Sequence, residues 1–167
     1  MRHSGWMAAS IRRADVDDLG DLVDMERAAS IAALGHVFAG IPFPTDDVAA
    51  RWALVLADPS ATVLVDDAAG VLVGYAAYGG GWLHHLGVIP RWWGSGHGEA
   101  LHDAAISASA AAGRPTTCLW VLAENHRARR FYRRLGWRDT DIREPASFAP
   151  YPVRMQMSRP PDVAASS

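Results

Sequence analysis

From Val88 to Leu101 the chain reads VIPRWWGSGHGEAL, with glycine at positions 94, 96 and 98 between an apolar strand-like run and an alanine-rich helical one. Glycine has the most backbone freedom to lose on folding, so three at alternate positions cost stability and call for another reason. The start of a helix supplies one. Its first N–H groups have no acceptor within the helix, its dipole favours negative charge, and nearby glycines let a ligand reach the backbone. The stretch therefore has the chemistry of a phosphate cradle. It differs from two common ones: Glu99 stands where G-x-G-x-x-G needs its last small residue, and no Gly-Lys-Ser/Thr is present. On these residues alone, a glycine-rich turn that binds nothing is the alternative.

A second group lies in LWVLAENHRARRFYRRLGW. Asn125 opens a helix and Tyr132 follows seven residues later, two turns on and on the same face, while Phe131 and Leu135 form an apolar i, i+4 pair on another. The phenol is thus directed away from that pair. Taken alone, a helical tyrosine describes packing as readily as catalysis.

Both groups need elements to hold them. A short strand at Ile11 to Arg13 precedes ADVDDLGDLVDMERAAS, where Leu19, Leu22, Val23 and Met25 or Glu26 recur at helical spacing behind acidic first-turn residues. GHVFAGIPFP interrupts the period with two prolines and two glycines, and TDDVAARWALVLADP resumes it behind Thr45 as N-cap. The period then becomes strand-like: ATVLVDDAAG, VLVGYAAYGG and GWLHHLGVIP read as three consecutive antiparallel strands. A helix from Gly96 to Ala112 stops at Gly113, and a strand spans Thr116 to Leu122. A helix from Asn125 to Leu135 stops at Gly136, and weaker strands lie near Trp137 to Ile142 and Tyr151 to Met157. The order β-α-α-β-β-β-α-β-α-β-β predicts one α/β layered domain over residues 10–158, with 1–9 and 159–167 as flexible ends.

Composition bounds the partners. The 167 residues are half apolar and one-fifth charged, enough for one soluble domain with a real core. Sixteen basic against eighteen acidic side chains leave a net charge of −2, which argues against a nucleic-acid partner held by phosphate neutralisation. All sixteen basic residues are arginine. The single cysteine, Cys118, sits in the apolar run TTCLWVL and reads as a small core residue, so a reducing cytoplasm is expected. No run approaches the roughly 20 apolar residues of a membrane span, so no membrane association is expected.

Val88-Ile89-Pro90 followed by Gly94-Ser95-Gly96-His97-Gly98, then Asn125, Arg127-Ala128, Phe131-Tyr132 and Leu135-Gly136-Trp137, resembles the GCN5-related N-acetyltransferase superfamily, especially its small bacterial members. The resemblance spans roughly Ile11 to Met157 and implies a mixed, mostly antiparallel twisted sheet flanked by helices. It implies acetyl-CoA as acyl donor, no metal, and transfer to a primary amine of a small molecule or peptide by direct attack on the thioester. By the same resemblance, backbone N–H groups of Gly94, Ser95, Gly96, His97, Gly98 and Glu99 hold the pyrophosphate. Leu86, Gly87 and Val88 pair main chain to main chain with pantetheine, with Gly87 suited to a bulge. Asn125 supports the pantetheine or the fifth strand, and Tyr132 stands near the sulfur as general acid. A homodimer is left open. On the same fold, the alternatives are a non-catalytic acyl-CoA-binding sensor or interaction protein, and an acyltransferase with another donor or an O-linked acceptor.

Amine attack needs a neutral amine, so such a site must also take up a proton. His84 is the candidate base: it lies two residues before Leu86, on one face by the strand period, and imidazole titrates near neutrality. Its place resembles that of a histidine in serotonin-type acetyltransferases. His85 points the other way, beneath a helix or at the surface, and Glu26, Glu124 or water stand in reserve. Two departures from the family pattern matter. Trp93 stands where Arg or Gln is usual, although Arg91 is close by, leaving one side-chain contact to phosphate open while the backbone cradle survives, and Trp120 stands where ribosomal-protein-type members carry a glutamate base. The superfamily walls its acceptor pocket with the segments that here read GHVFAGIPFPTDD and REPASFAPYP, both rich in Phe, Tyr and Pro, which points to a partly apolar amine.

Overall fold

Among the described residues, the changes of period along the chain become seven strands and four helices in the expected order. These are β1 (Ile11–Arg13), α1 (Leu19–Leu34), α2 (Thr45–Ala57), β2 (Thr62–Ala68), β3 (Val71–Gly79) and β4 (Trp82–Val88). They continue as α3 (His97–Ala111), β5 (Cys118–Leu122), α4 (His126–Arg134), β6 (Arg138–Pro145) and β7 (Val153–Ser158). The computed structural model describes residues 10–161. Residues 1–9 and 162–167, expected as flexible ends, lie outside the described residues. Arg159, expected to begin the C-terminal one, is instead tied down: its N–H donates to the Thr117 carbonyl at 3.0 Å and its guanidinium lies 5.9 Å from the Trp137 ring.

The strands form one sheet in the order β1-β2-β3-β4-β5-β7-β6. Every neighbouring pair is antiparallel except β4 and β5. A parallel pair needs a crossover that returns the chain to the same end of the sheet, and α3 provides it. On one face α1 and α2 bury Leu22 and Trp52 against Val65 and Tyr75; on the other α3 and α4 bury Leu101 and Tyr132 with Leu119, Trp137 and Met155. A polar link crosses the second core. Burial holds His102 below the usual histidine range, and its neutral Nε2 accepts the Trp137 indole N–H at 2.9 Å. No helix among the described residues is long and apolar enough to cross a membrane.

Two local expectations change. Thr45 is the first residue of α2 rather than its N-cap; Pro44 takes that place without a side-chain cap bond, and the acidic Asp46 and Asp47 face the helix start. The irregularity in β4 falls at His84, not Gly87. Ala77 pairs with His85 and Tyr78 with Leu83, so His84 is an extra, unpaired residue, while Gly87 sits in regular register opposite Tyr75. A bulge bends the strand that carries it. Here β4 pairs with β5 only at Trp82 and Leu83, and the two strands part from His84 onward.

Candidate active site

A cavity of about 600 Å³ lies where β4 and β5 part. Its walls include Leu86, Gly87 and Val88 of β4, Gly94 and Gly96 of the glycine loop, and Gly98 and Glu99 of the first turn of α3. Asn125 and Tyr132 complete the set of expected residues in the same cavity. Ser95, His97 and His84 are not among its lining.

The loop adopts the backbone that its glycines allow. Gly94 and Gly96 have φ of 78° and 89°, a region costly for residues with a Cβ, and Gly96 is the left-handed N-cap of α3. The first-turn N–H groups of α3 therefore start directly at the loop and have no acceptor within the helix. The His97 side chain turns inward: its Nδ1 lies 2.6 Å from the fully buried Asp66 of β2, which fastens the helix start to the sheet. Only the backbone of His97 remains for a ligand at the loop. Trp93 closes the end of β4, donating its indole N–H to the Val88 carbonyl at 2.7 Å. That carbonyl, expected to be available to pantetheine, is thereby engaged.

Gly87 is required by close approach. A Cβ there would sit 2.6 Å from Cζ of Tyr75 and closer still to its hydroxyl, so the β3 phenol passes directly beneath β4. Tyr75 was missed by sequence reasoning, although its register opposite Gly87 brings it into the cavity wall. Asn125 caps α4, its side-chain oxygen accepting the Ala128 N–H at 3.2 Å. Tyr132 is buried against Phe131 and Trp137, with ring centroids 5.4 and 6.0 Å away. Burial pushes its phenol well above the ordinary value, so it remains a proton donor at any working pH.

The basic groups are rearranged relative to the strand-period expectation. As the bulged residue, His84 is exposed and is not among the cavity-lining residues; desolvation holds its imidazole below the ordinary value, opposed by the Gly79 backbone and Asp58. His85, set aside on the same period argument, lines the cavity. It stacks on Trp52 at 5.6 Å, meets the edge of Tyr75 at 5.3 Å, and places Nε2 3.1 Å from Oε1 of Glu26. That carboxylate also accepts the Trp52 indole N–H at 2.9 Å and pairs with Arg51. Glu124 is exposed and lies 3.4 Å from His126.

Burial of Glu26 would raise its pKa, but the hydrogen bond and charge of His85 and the charge of Arg51 outweigh it and hold the carboxyl below its ordinary value. A depressed carboxyl stabilises the fold above its unfolded value, about 4.5, and that contribution fades as pH falls through the folded value. We expect thermal unfolding to show the wild type losing more stability than Glu26→Gln between pH 6 and pH 3. Parallel losses in the two proteins would remove Glu26 as a source of acid sensitivity.

Trp120 lies on the sheet face away from α3, stacked with Trp82 at 6.1 Å and covered by Arg154 at 4.2 Å. The two segments expected to wall an acceptor meet through Phe38 and Phe148, whose rings are 6.0 Å apart, while Ala29, Ser30, Ala33 and Leu34 of α1 line the cavity itself.

The profile of the acetyltransferase (GNAT) family matches residues 28–137 of this chain. An uncharacterized N-acetyltransferase of Archaeoglobus fulgidus is 30% identical over 148 residues, covering 82% of this chain and 95% of that protein. A GCN5-related N-acetyltransferase of Rhodopseudomonas palustris superposes with a TM-score of 0.70 at 23% identity, covering 89% of this chain and 93% of its own. The PaiA N-acetyltransferase of Thermoplasma acidophilum, solved with coenzyme A, gives a TM-score of 0.65 at 17% identity, covering 87% and 96%.

Proposed function

Since the chain belongs to the acetyltransferase (GNAT) family, we propose that it transfers the acetyl group of acetyl-CoA to a primary amine of a small molecule or peptide. One observation carries this reading: a single cavity joins the glycine loop, the unpaired edge of β4, Tyr132 and the His85 ring that Glu26 holds. Acetyl-CoA supplies a thioester whose acetyl group passes to a nucleophile and leaves a thiol. The donor set suits it. Two left-handed glycines bring the α3 first turn to the cavity, and Gly87 leaves main chain rather than a side chain along the β4 edge.

Within this reading, His85 takes a proton from the attacking ammonium through the nitrogen not held by Glu26, and Glu26 fixes the ring. This moves the base from His84, the sequence-based candidate, to its neighbour. Tyr132, kept protonated by burial, donates toward the departing sulfur. Apolar α1 residues and the Phe38–Phe148 contact favour an acceptor with apolar substance next to its amine. The proposed setting is the cytoplasm.

The test is a panel of amines, amino acids, aminoglycosides and peptides incubated with acetyl-CoA, with free thiol as readout. Thiol release that depends on the amine supports the enzyme; binding without release on any acceptor supports an acyl-CoA sensor. The loop is tested separately by thermal stabilisation. At a ligand concentration a hundred times its dissociation constant, mass action adds about 2.7 kcal/mol. We expect Gly96→Val, which places a β-branched residue at φ 89°, to weaken binding at least tenfold and cut that gain to about 1.4 kcal/mol or less. Equal stabilisation of variant and wild type would exclude the loop as the phosphate site.

A further inference from the structure

The five arginines of α4 divide into two sets. Arg129 and Arg133 both reach Asp139, at 4.0 and 2.8 Å, and Arg129 also donates to the Ala123 carbonyl at 2.8 Å. Arg127, Arg130 and Arg134, at i, i+3 and i+7, share another face of the helix and line the cavity. Among the described residues, none of these three is ion-paired with a carboxylate. Three like charges along one wall repel one another, and Glu99, the acidic residue that lines the same cavity, forms an ion pair with none of them among the described residues. Arg127 is also held in place: its guanidinium lies 4.0 Å from the centroid of Trp93, whose indole is fastened to the Val88 carbonyl. Trp93 is the loop position where the family pattern has Arg or Gln.

We propose that Arg127, Arg130 and Arg134 form the phosphate-binding wall of the cofactor site, with Trp93 as the platform that brings Arg127 to the glycine loop. The cation that position 93 does not carry is thus supplied from α4. This rests on the reading of the cavity as an acetyl-CoA site. Guanidinium is suited to the task because its planar fork can stack on an indole while its edge hydrogen-bonds a phosphate.

The experiment is titration calorimetry of CoA and 3′-dephospho-CoA with the wild type, the three single Arg→Gln variants, the triple variant and Arg133→Gln, repeated at several salt concentrations. We expect each single variant to bind CoA about tenfold more weakly, the triple at least a hundredfold, and Arg133→Gln within twofold. The salt dependence should flatten in the triple variant, which loss of packing alone would not cause. A variant that weakens CoA but not dephospho-CoA reads the 3′-phosphate; equal losses assign the pyrophosphate, and both outcomes support the wall. A triple variant within threefold of the wild type, or an equal loss in Arg133→Gln, overturns it while leaving the cofactor reading intact. A wild type that binds no CoA overturns both.

Discussion

Replacing Tyr132 with phenylalanine is expected to lower kcat by about a hundredfold and to leave acetyl-CoA affinity within about twofold. The phenol is buried, lines the cavity and is held protonated by desolvation, so it can donate a hydrogen bond without ever competing as a base. Charge reaches the sulfur only as the carbon–sulfur bond breaks, and an interaction made chiefly then lowers kcat rather than binding. General acids contribute roughly 10²- to 10⁴-fold; the lower end applies because a thiolate is a tolerable leaving group unprotonated. Phenylalanine preserves the contacts with Phe131 and Trp137, so the fold should survive. Normal turnover by a folded Tyr132→Phe would release the residue from this role, and Tyr75, the second phenol in the wall, would be next to examine.

The second large effect separates two adjacent histidines. His85→Ala is expected to cost about 10²- to 10³-fold in kcat near neutral pH, with the deficit shrinking as pH approaches the acceptor amine's own pKa, about 10 for an alkylamine. The sign follows from the chemistry: the base matters only while the amine arrives protonated. His84→Ala, on the exposed bulge residue outside the cavity lining, should stay within about threefold at every pH. His85 stacks on Trp52, so His85→Gln, which retains more of the side-chain volume, guards against loss of packing. Equal pH profiles for His85→Gln and the wild type would pass the proton to Glu26, Glu124 or water. A large loss in His84→Ala alone would restore the strand-period assignment.

The order of elements and the glycine loop are legible locally in the chain. The switch from helical to strand period marks the order of elements, and VIPRWWGSGHGEAL places left-handed glycines at the start of α3. The i, i+7 relation of Asn125 and Tyr132 brings both to one cavity. Each depends on neighbours within one or two turns, which sequence states directly. Three features depend on residues brought from afar. The extra residue at His84 is defined only by the register of β4 against β3, and a one-residue slip decides which histidine reaches the cavity. Glu26 became the partner of His85 because α1 packs across the sheet and the carboxylate is satisfied there by Arg51 and Trp52. The arginines of α4 look alike in RARRFYRR; Asp139 on β6 pairs with two, and three remain for the cavity. Spacing along a helix or strand fixes which side chains share a face, but what that face meets is set by long-range packing, where burial makes pairing of charges obligatory.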